Sequence, residues 1–243
     1  MKHQTGTVLS DLHLFAGRSE GQALFDSIRA KIEKADVLVL NGDTFDFRWS
    51  QFTDEEESIT EAVKWLTSLL GELRGDQHLY FLQGNHDCLG NFTQRLNQLQ
   101  KTEAKFTVEP EILTLGDKLF LHGDGANWRM NGEEFEAFRA KWSRDKPKGK
   151  VAAASYHAID ALGISKGFHR LYFPALTTIK RITYHLDQVM PGWRSKTAAV
   201  YFGHTHCPLS NIKLDGINFF NTGSGIRGMG FAPQSFKFTT TSF

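Results

Sequence analysis

Histidine, aspartate and asparagine recur in five short clusters along this chain: Asp11-Leu12-His13, Gly42-Asp43-Thr44-Phe45-Asp46, Gly84-Asn85-His86-Asp87, His122-Gly123-Asp124 and Gly203-His204-Thr205-His206. Carboxylate and amide oxygens mixed with imidazoles, with no thiolate cluster, suit Mn, Fe or Zn in a working site and not a structural zinc knot. Such donors point to a metal centre, expected to be a double one. Paired cations of this kind hydrolyse phosphate esters.

Each cluster follows an apolar, strand-like run, so a rigid sheet is expected to aim the donors from its strand ends. Thr7 to Ser10, Val37 to Leu40, Leu79 to Leu82, Lys118 to Leu121 and Ala198 to Phe202 read as those strands. Asn218 to Asn221 and Phe236 to Thr241 read as two closing strands around the glycine-rich turn Gly223 to Gly230. Between the early strands, Leu24, Phe25, Ile28 and Ile32 recur at helical spacing behind a Ser19/Gln22 capping box. Ile59, Ala62, Val63, Leu66, Leu69, Leu70 and Leu73 form the stripe of a second helix, opened by a Thr53/Glu56 capping box and the acidic run Asp54 to Glu57. Early strand–helix alternation implies parallel pairing, and the short late spacings imply hairpins. The expected fold is a mixed α/β sheet structure with helices outside.

The chain has 243 residues, 40% of them hydrophobic and 23% charged, enough for a large core without disulfide support. With two cysteines, Cys88 and Cys207, a reducing compartment is the default. The polar start, Met1 to Gly6, is not a signal peptide, and no apolar run has the length of a membrane span. A net charge of +1 argues against a protein-wide field for nucleic acid, which stays an unfavoured partner. The charge is unevenly spread. Residues 129–196 hold 13 Lys+Arg against 6 Asp+Glu. There the strand rhythm stops. Phe135, Phe138 and Trp142 lie on one helical stripe that ends near Pro147-Lys148-Gly149, Ala152 to Ala161 is helix-forming, and Ile179, Ile182 and Leu186 lie on another stripe. This segment reads as a helical insertion. It is either a satellite core with a solvated basic face or a lid whose apolar side meets substrate and whose basic side meets phosphate.

Five motifs in this order resemble the calcineurin-like metallophosphoesterase superfamily. Its pattern is Asp-x-His, Gly-Asp-x-x-Asp, Gly-Asn-His-Asp/Glu, a lone His and Gly-His-x-His, and the likeness spans the chain apart from the insertion. The resemblance implies a two-sheet mixed β-sandwich flanked by helices, here with a helical lid, in one domain over 1–243. It also implies two divalent cations, Mn first among Mn, Fe, Zn and Co. It assigns Asp11, His13 and His206 to one cation, Asn85, His122 and His204 to the other, and Asp43 to both. A hydroxide shared by the cations would attack phosphorus in line. His86 is expected to face the phosphate and protonate a leaving oxygen, with Asp87 orienting it. Asp46 and Asp124 are expected to fix ligands from behind. Arg48, Trp49, His169 and Arg170 are candidate substrate contacts. His3, His78, His157 and His185 keep the ordinary reading of satisfied polar groups, and the two cysteines no ligand role.

In length and layout the chain is most similar to the UDP-2,3-diacylglucosamine hydrolases of lipid A synthesis, cytoplasmic enzymes peripheral on the membrane face. That likeness implies a lipid-linked phosphorylated substrate and membrane contact through the basic insertion. Two positions depart from it: His86 stands where that group has Arg, and Asp46 where it has Glu. A histidine is more useful when a poor alkoxide leaves, as in a soluble nucleotide, a phosphodiester or a nucleic acid end. A third expectation, from another class, is a non-catalytic scaffold of the same fold.

Overall fold

The computed structural model describes residues 2–52, 54–144 and 164–240. Two five-stranded sheets face each other. In the first, β1 (Lys2–Leu9), β2 (Val37–Asn41), β3 (His78–Leu82) and β4 (Phe106–Glu109) run parallel, and β10 (Gln234–Thr240) closes the edge antiparallel to β1. In the second, the order is β5 (Ile112–Leu115), β6 (Lys118–Leu121), β7 (Ala199–Phe202), β9 (Ile217–Asn221) and β8 (Leu209–Leu214). Here β6, β7 and β9 are parallel, and both edge strands are antiparallel. The mixed two-sheet sandwich is the fold expected above.

Alternation along the strands sorts side chains between layers. On β2, Val37 and Val39 enter the core between the sheets, while Leu38 and Leu40 enter the core beneath the helices. On β7, Ala199 and Tyr201 go between the sheets, and Val200 and Phe202 outward. The first sheet is covered by α1 (Gly21–Ser27), α2 (Arg29–Glu33), α3 (Glu55–Glu72) and α4 (Gly90–Thr102). Three more helices follow: α5 (Gly132–Trp142), α6 (Ile164–Tyr172) and α7 (Ala175–Val189). Ile179, Ile182 and Leu186 of α7 pack onto the second sheet with Val200, Phe202 and Phe219. The segment expected to stand apart as an insertion is therefore divided. Its last helix is a structural layer, while α5 and α6 border the site described below. The expected helix over Ala152 to Ala161 and the Pro147 stop lie outside the described residues. No helix among the described residues is long and apolar enough to cross a membrane.

Several local expectations change. Ser19 and Gln22 form no capping box. The Ser19 hydroxyl instead accepts from Gly21 N and donates to the Leu12 carbonyl, and Gln22 accepts from the Trp65 indole. Thr53 lies outside the described residues, and Asp54 caps α3 by accepting from Glu56 N. The glycine-rich run from Gly223 does not close a hairpin; it carries the chain from β9 in one sheet to β10 in the other.

Candidate metal centre

Parallel strands end at the same edge, so β1, β2 and β3 deliver Asp11, Asp43 and Asn85 together, while β6 and β7 deliver His122 and His204 from the facing sheet. Asn41, at the end of β2, ties the two edges. Its side-chain amide donates to the Leu121 and Tyr201 carbonyls at 2.9 and 3.3 Å. From the other side of the site, the His204 amide donates to both oxygens of Asp11 at 3.0 Å. Asp46 is set by an alternation within the loop that follows Asp43. Phe45 and Phe47 point into the helical core, where Phe45 meets Trp65, Phe81 and Phe92 at 5.6–6.3 Å. Asp46, between them, is thereby turned toward the site.

The backbone is bent to make this convergence. Asp11, His13, Asp43, His204 and His206 all adopt positive φ, between 49° and 64°. For a side-chain-bearing residue this is costly, and such strain persists where the surroundings over-determine it. Glycine is required beside them for a different reason. A Cβ on Gly84 would lie 2.1 Å from the Asp43 carboxylate, and one on Gly203 would lie 2.2 Å from that of Asp11.

Two sets of donor atoms result. In the first, His13 Nε2 and His206 Nε2 face each other at 3.0 Å, and Asp11 Oδ1 lies 3.3 Å from His206 Nε2 and 3.9 Å from His13 Nε2. In the second, His204 Nδ1 lies 3.0 Å from Asn85 Oδ1. His122 Nε2 completes it, and Asp43 Oδ2 reaches both sets, 3.3 Å from His122 Nε2 and 3.8 Å from His13 Nε2. These residues are almost fully buried. The donor tautomers are prepared from behind. His122 Nδ1–H donates to the Asn41 carbonyl and His13 Nδ1 pairs with Asp46 Oδ2. The residues fit a pair of cations on three observations. Imidazole nitrogens confront one another at contact distance, the buried His122 Nε2 has no hydrogen-bond partner, and the donors are the oxygens and nitrogens that divalent cations take.

Charge in this set is tightly interdependent. Burial pushes the Asp43 carboxyl up, but the imidazoles of His122, His86 and His13 outweigh it and hold Asp43 well below the carboxylate range. Burial likewise works against a charged His122, yet Asp43 and Asp124 hold it up at about 10. Burial prevails at His204, held down at about 4, and at His206, well below its ordinary value.

Asp46 fixes the expected ligand His13 and also takes the role expected of Asp87. Asp87 was expected to orient His86, but it accepts from the amides of Thr44, Phe45 and Gly84 at 2.7–3.3 Å and binds the two loops together. Its burial, with Asp43 nearby, pushes its carboxyl up to about 7. Asp46 takes the orienting position instead, holding His86 Nδ1 at 3.0 Å with one oxygen and His13 with the other. That geometry follows from the left turn of Asp43, which brings Asp46 back beneath the site.

A pocket of about 600 Å³ opens above the donors. Arg48 and Trp49 line it, with the Arg48 guanidinium over the Trp142 ring at 4.6 Å. His169 also lines it, its Nδ1–H donating to the Thr205 carbonyl at 3.0 Å and its ring stacked on His206. Arg170 does not: it is exposed and lies near Cys207. Arg18 and Asn127 line the pocket without having been singled out in the sequence; Arg18 is buried, with Nη2 3.9 Å from Asp46. An arginine five residues past His13, in the loop that carries Asp-x-His, was the available signal. His185 keeps its ordinary reading, paired with Glu111 at 3.0 Å against Phe135. Cys88 is buried, its thiol pushed up to about 12 by that burial.

Fold and site together define a metal-dependent phosphoester hydrolase. The chain matches the profile of the calcineurin-like phosphoesterase family over residues 7–208 and belongs to that family. No curated protein matches it in sequence. Among solved structures, the phosphopantetheinyl hydrolase of Mycobacterium tuberculosis is similar, at 13% identity over 96% of this chain and 95% of its own, with a TM-score of 0.50. A conserved uncharacterized protein from Streptococcus pneumoniae, a predicted phosphoesterase, is 14% identical over 98% of this chain and 85% of its own, with a TM-score of 0.37.

Proposed function

We propose that the chain hydrolyses a phosphoester or pyrophosphate bond in a substrate that also carries an apolar or aromatic portion. The observation that carries this reading is a single cavity with the clustered donors at its floor, His86 at its side and two aromatic walls above. Asp11, His13 and His206 would hold one divalent cation, Asn85, His122 and His204 the other, and Asp43 both, with Mn the first candidate. When bound, such a pair makes a nucleophile of water at neutral pH and offsets charge on the phosphoryl oxygens. Every further contribution comes from the chain. Arg18, Arg48 and Lys141 line the pocket and counter the substrate's negative charge. His86, with Nδ1 fixed by Asp46, presents Nε2 for proton donation to the departing oxygen. Burial disfavours the imidazolium of His86, but Asp46 and Asp43 reverse that and raise its pKa, keeping the proton in place.

The finer reading from the sequence, hydrolysis of UDP-2,3-diacylglucosamine to UMP and the lipid sugar phosphate, draws support from the wall formed by α6. Phe168 and Tyr172 stack in parallel at the pocket, and Phe168 and Leu171 are more than half exposed on the same helix as the exposed Arg170, with Leu176 likewise open at the start of α7. Such a surface suits an acyl-bearing substrate presented at a membrane. A second reading, hydrolysis of a soluble phosphodiester or phosphomonoester, is favoured by His86, because UMP leaves without an acid and an alkoxide does not.

A substrate panel with Mn2+ supplied separates them: UDP-2,3-diacylglucosamine in detergent, a cyclic nucleotide, bis-p-nitrophenyl phosphate and a phosphopantetheinyl compound. Turnover of the lipid at least a hundredfold above the others supports the first reading. Preference for an alkoxide-releasing ester supports the second. No turnover of any of them, with metal bound, contradicts both.

A further inference from the structure

Asp124 was expected only to support a ligand, but its two oxygens have different surroundings. Oδ2 accepts from Arg139 Nη1 at 2.6 Å. Oδ1 is buried, has no hydrogen-bond partner, and points at the second donor set: it lies 3.4 Å from His204 Nδ1 and 3.8 Å from His122 Nε2. Two donors on one cation, each about 2.1 Å from it, lie no more than about 4.2 Å apart. Both distances meet that limit, as does the 3.0 Å between His204 Nδ1 and Asn85 Oδ1. That oxygen, with 2% of its residue exposed, accepts no hydrogen bond, a deficit that a cation shared with His204 and His122 would offset.

Arg139 explains how the oxygen is aimed. It projects from α5, and its guanidinium also donates to the Gln83 carbonyl at 3.1 and 3.2 Å and to the Pro110 carbonyl at 3.0 Å. Four hydrogen bonds to three separate segments fix the plane of the guanidinium, and therefore the rotamer of Asp124. Gln83 directly precedes Gly84-Asn85, so the same side chain braces the loop of another proposed ligand.

We propose that Asp124 is itself a ligand of the cation held by Asn85, His122 and His204, and that Arg139 is its positioning residue, coupling helix α5 to the metal centre. The proposal rests on the cation pair proposed above. Its consequence is a matched pair: Asp124 gives the second cation a carboxylate beside Asp43, as Asp11 gives the first, but the hold of the second depends on a helix beside the substrate pocket.

The test is the crystal structure of the Mn2+-loaded protein, together with calorimetric Mn2+ titration of the wild type, Asp124→Ala, Asp124→Asn and Arg139→Lys. Asp124 Oδ1 at bonding distance, about 2.0–2.3 Å from the cation beside His204, is the expected result. The Asp124→Ala titration should lose the second binding event at least a hundredfold while the first keeps its affinity within about threefold, and Arg139→Lys should weaken the second about tenfold. Circular dichroism checks that each variant is folded, and the wild-type structure stands even where a variant is not. Cations present among the other donors, with Oδ1 beyond about 3 Å or separated by water, overturn the proposal and leave the pair intact. No cation among those donors would overturn the pair as well.

Discussion

His86 and His122 show how one imidazole is set for proton transfer and another for metal. His86 has its inner nitrogen on Asp46 and its outer one toward the pocket. Replacing it by Gln should lower kcat on an alkoxide-releasing diester by about 10²–10⁴ and on a p-nitrophenolate-releasing one by less than about tenfold. Equal losses on both would deny it the acid role. His122 carries a proton in the metal-free protein up to about pH 10. A cation must displace that proton, so binding at the second site should strengthen about tenfold per pH unit between pH 6.5 and 8. His204, held near 4, and His206 are already neutral there and add no slope. Calorimetry at several pH values measures this, and a pH-independent affinity would contradict it. The donor types were legible in the sequence because five motifs name them. That Asp46, and not Asp87, orients His86 was not, since it depends on which way the chain turns after Asp43 (φ 51°).

At the level of elements, four of the five strands that feed the site were legible to within a residue, because each is a continuous apolar run ended by a polar motif; β1 starts at Lys2, not Thr7, because its polar first half is held by pairing with β10. Helix α4 was not. Its buried positions, Phe92 and Leu96, are too few among Asn, Gln and Thr to mark a stripe. Strands β4 and β5 are four residues each, too short to show a period. Helix α7 had a clear stripe, but its place against the second sheet is a tertiary fact. Leu186, fully buried there, should cost about 2–5 kcal/mol when replaced by Ala. Leu171, 82% exposed on α6, should cost less than about 0.5 kcal/mol when replaced by Ser. Denaturant unfolding of the two variants checks the contrast. Similar losses would mean that α6 is packed as firmly as α7.

For the whole molecule, two sheets meet with their strand ends together, and the cost of that meeting is a set of buried carboxylates and strained ligand residues. Cations offset it, so removing them should destabilise the protein. Saturation at about a hundred times Kd contributes about 2.7 kcal/mol per site, which places the fall in Tm on chelation on the order of 10 °C. Asp43→Asn, which weakens both sites, should reduce that difference; an equal response in the two proteins would contradict the bridge. The sandwich could be read from strand alternation and family likeness, whereas β10 crossing back to β1 could not, since nothing in its own residues says which sheet it joins. At the meeting of the two sheets, Asp11, His13, Asp43, Asn85, His122, His204 and His206 are proposed to hold two cations. Anomalous scattering from Mn2+-loaded crystals measures that directly. Two peaks about 3.5–4 Å apart, on either side of the Asp43 carboxylate, are expected; a single peak, or none among these residues, would contradict it.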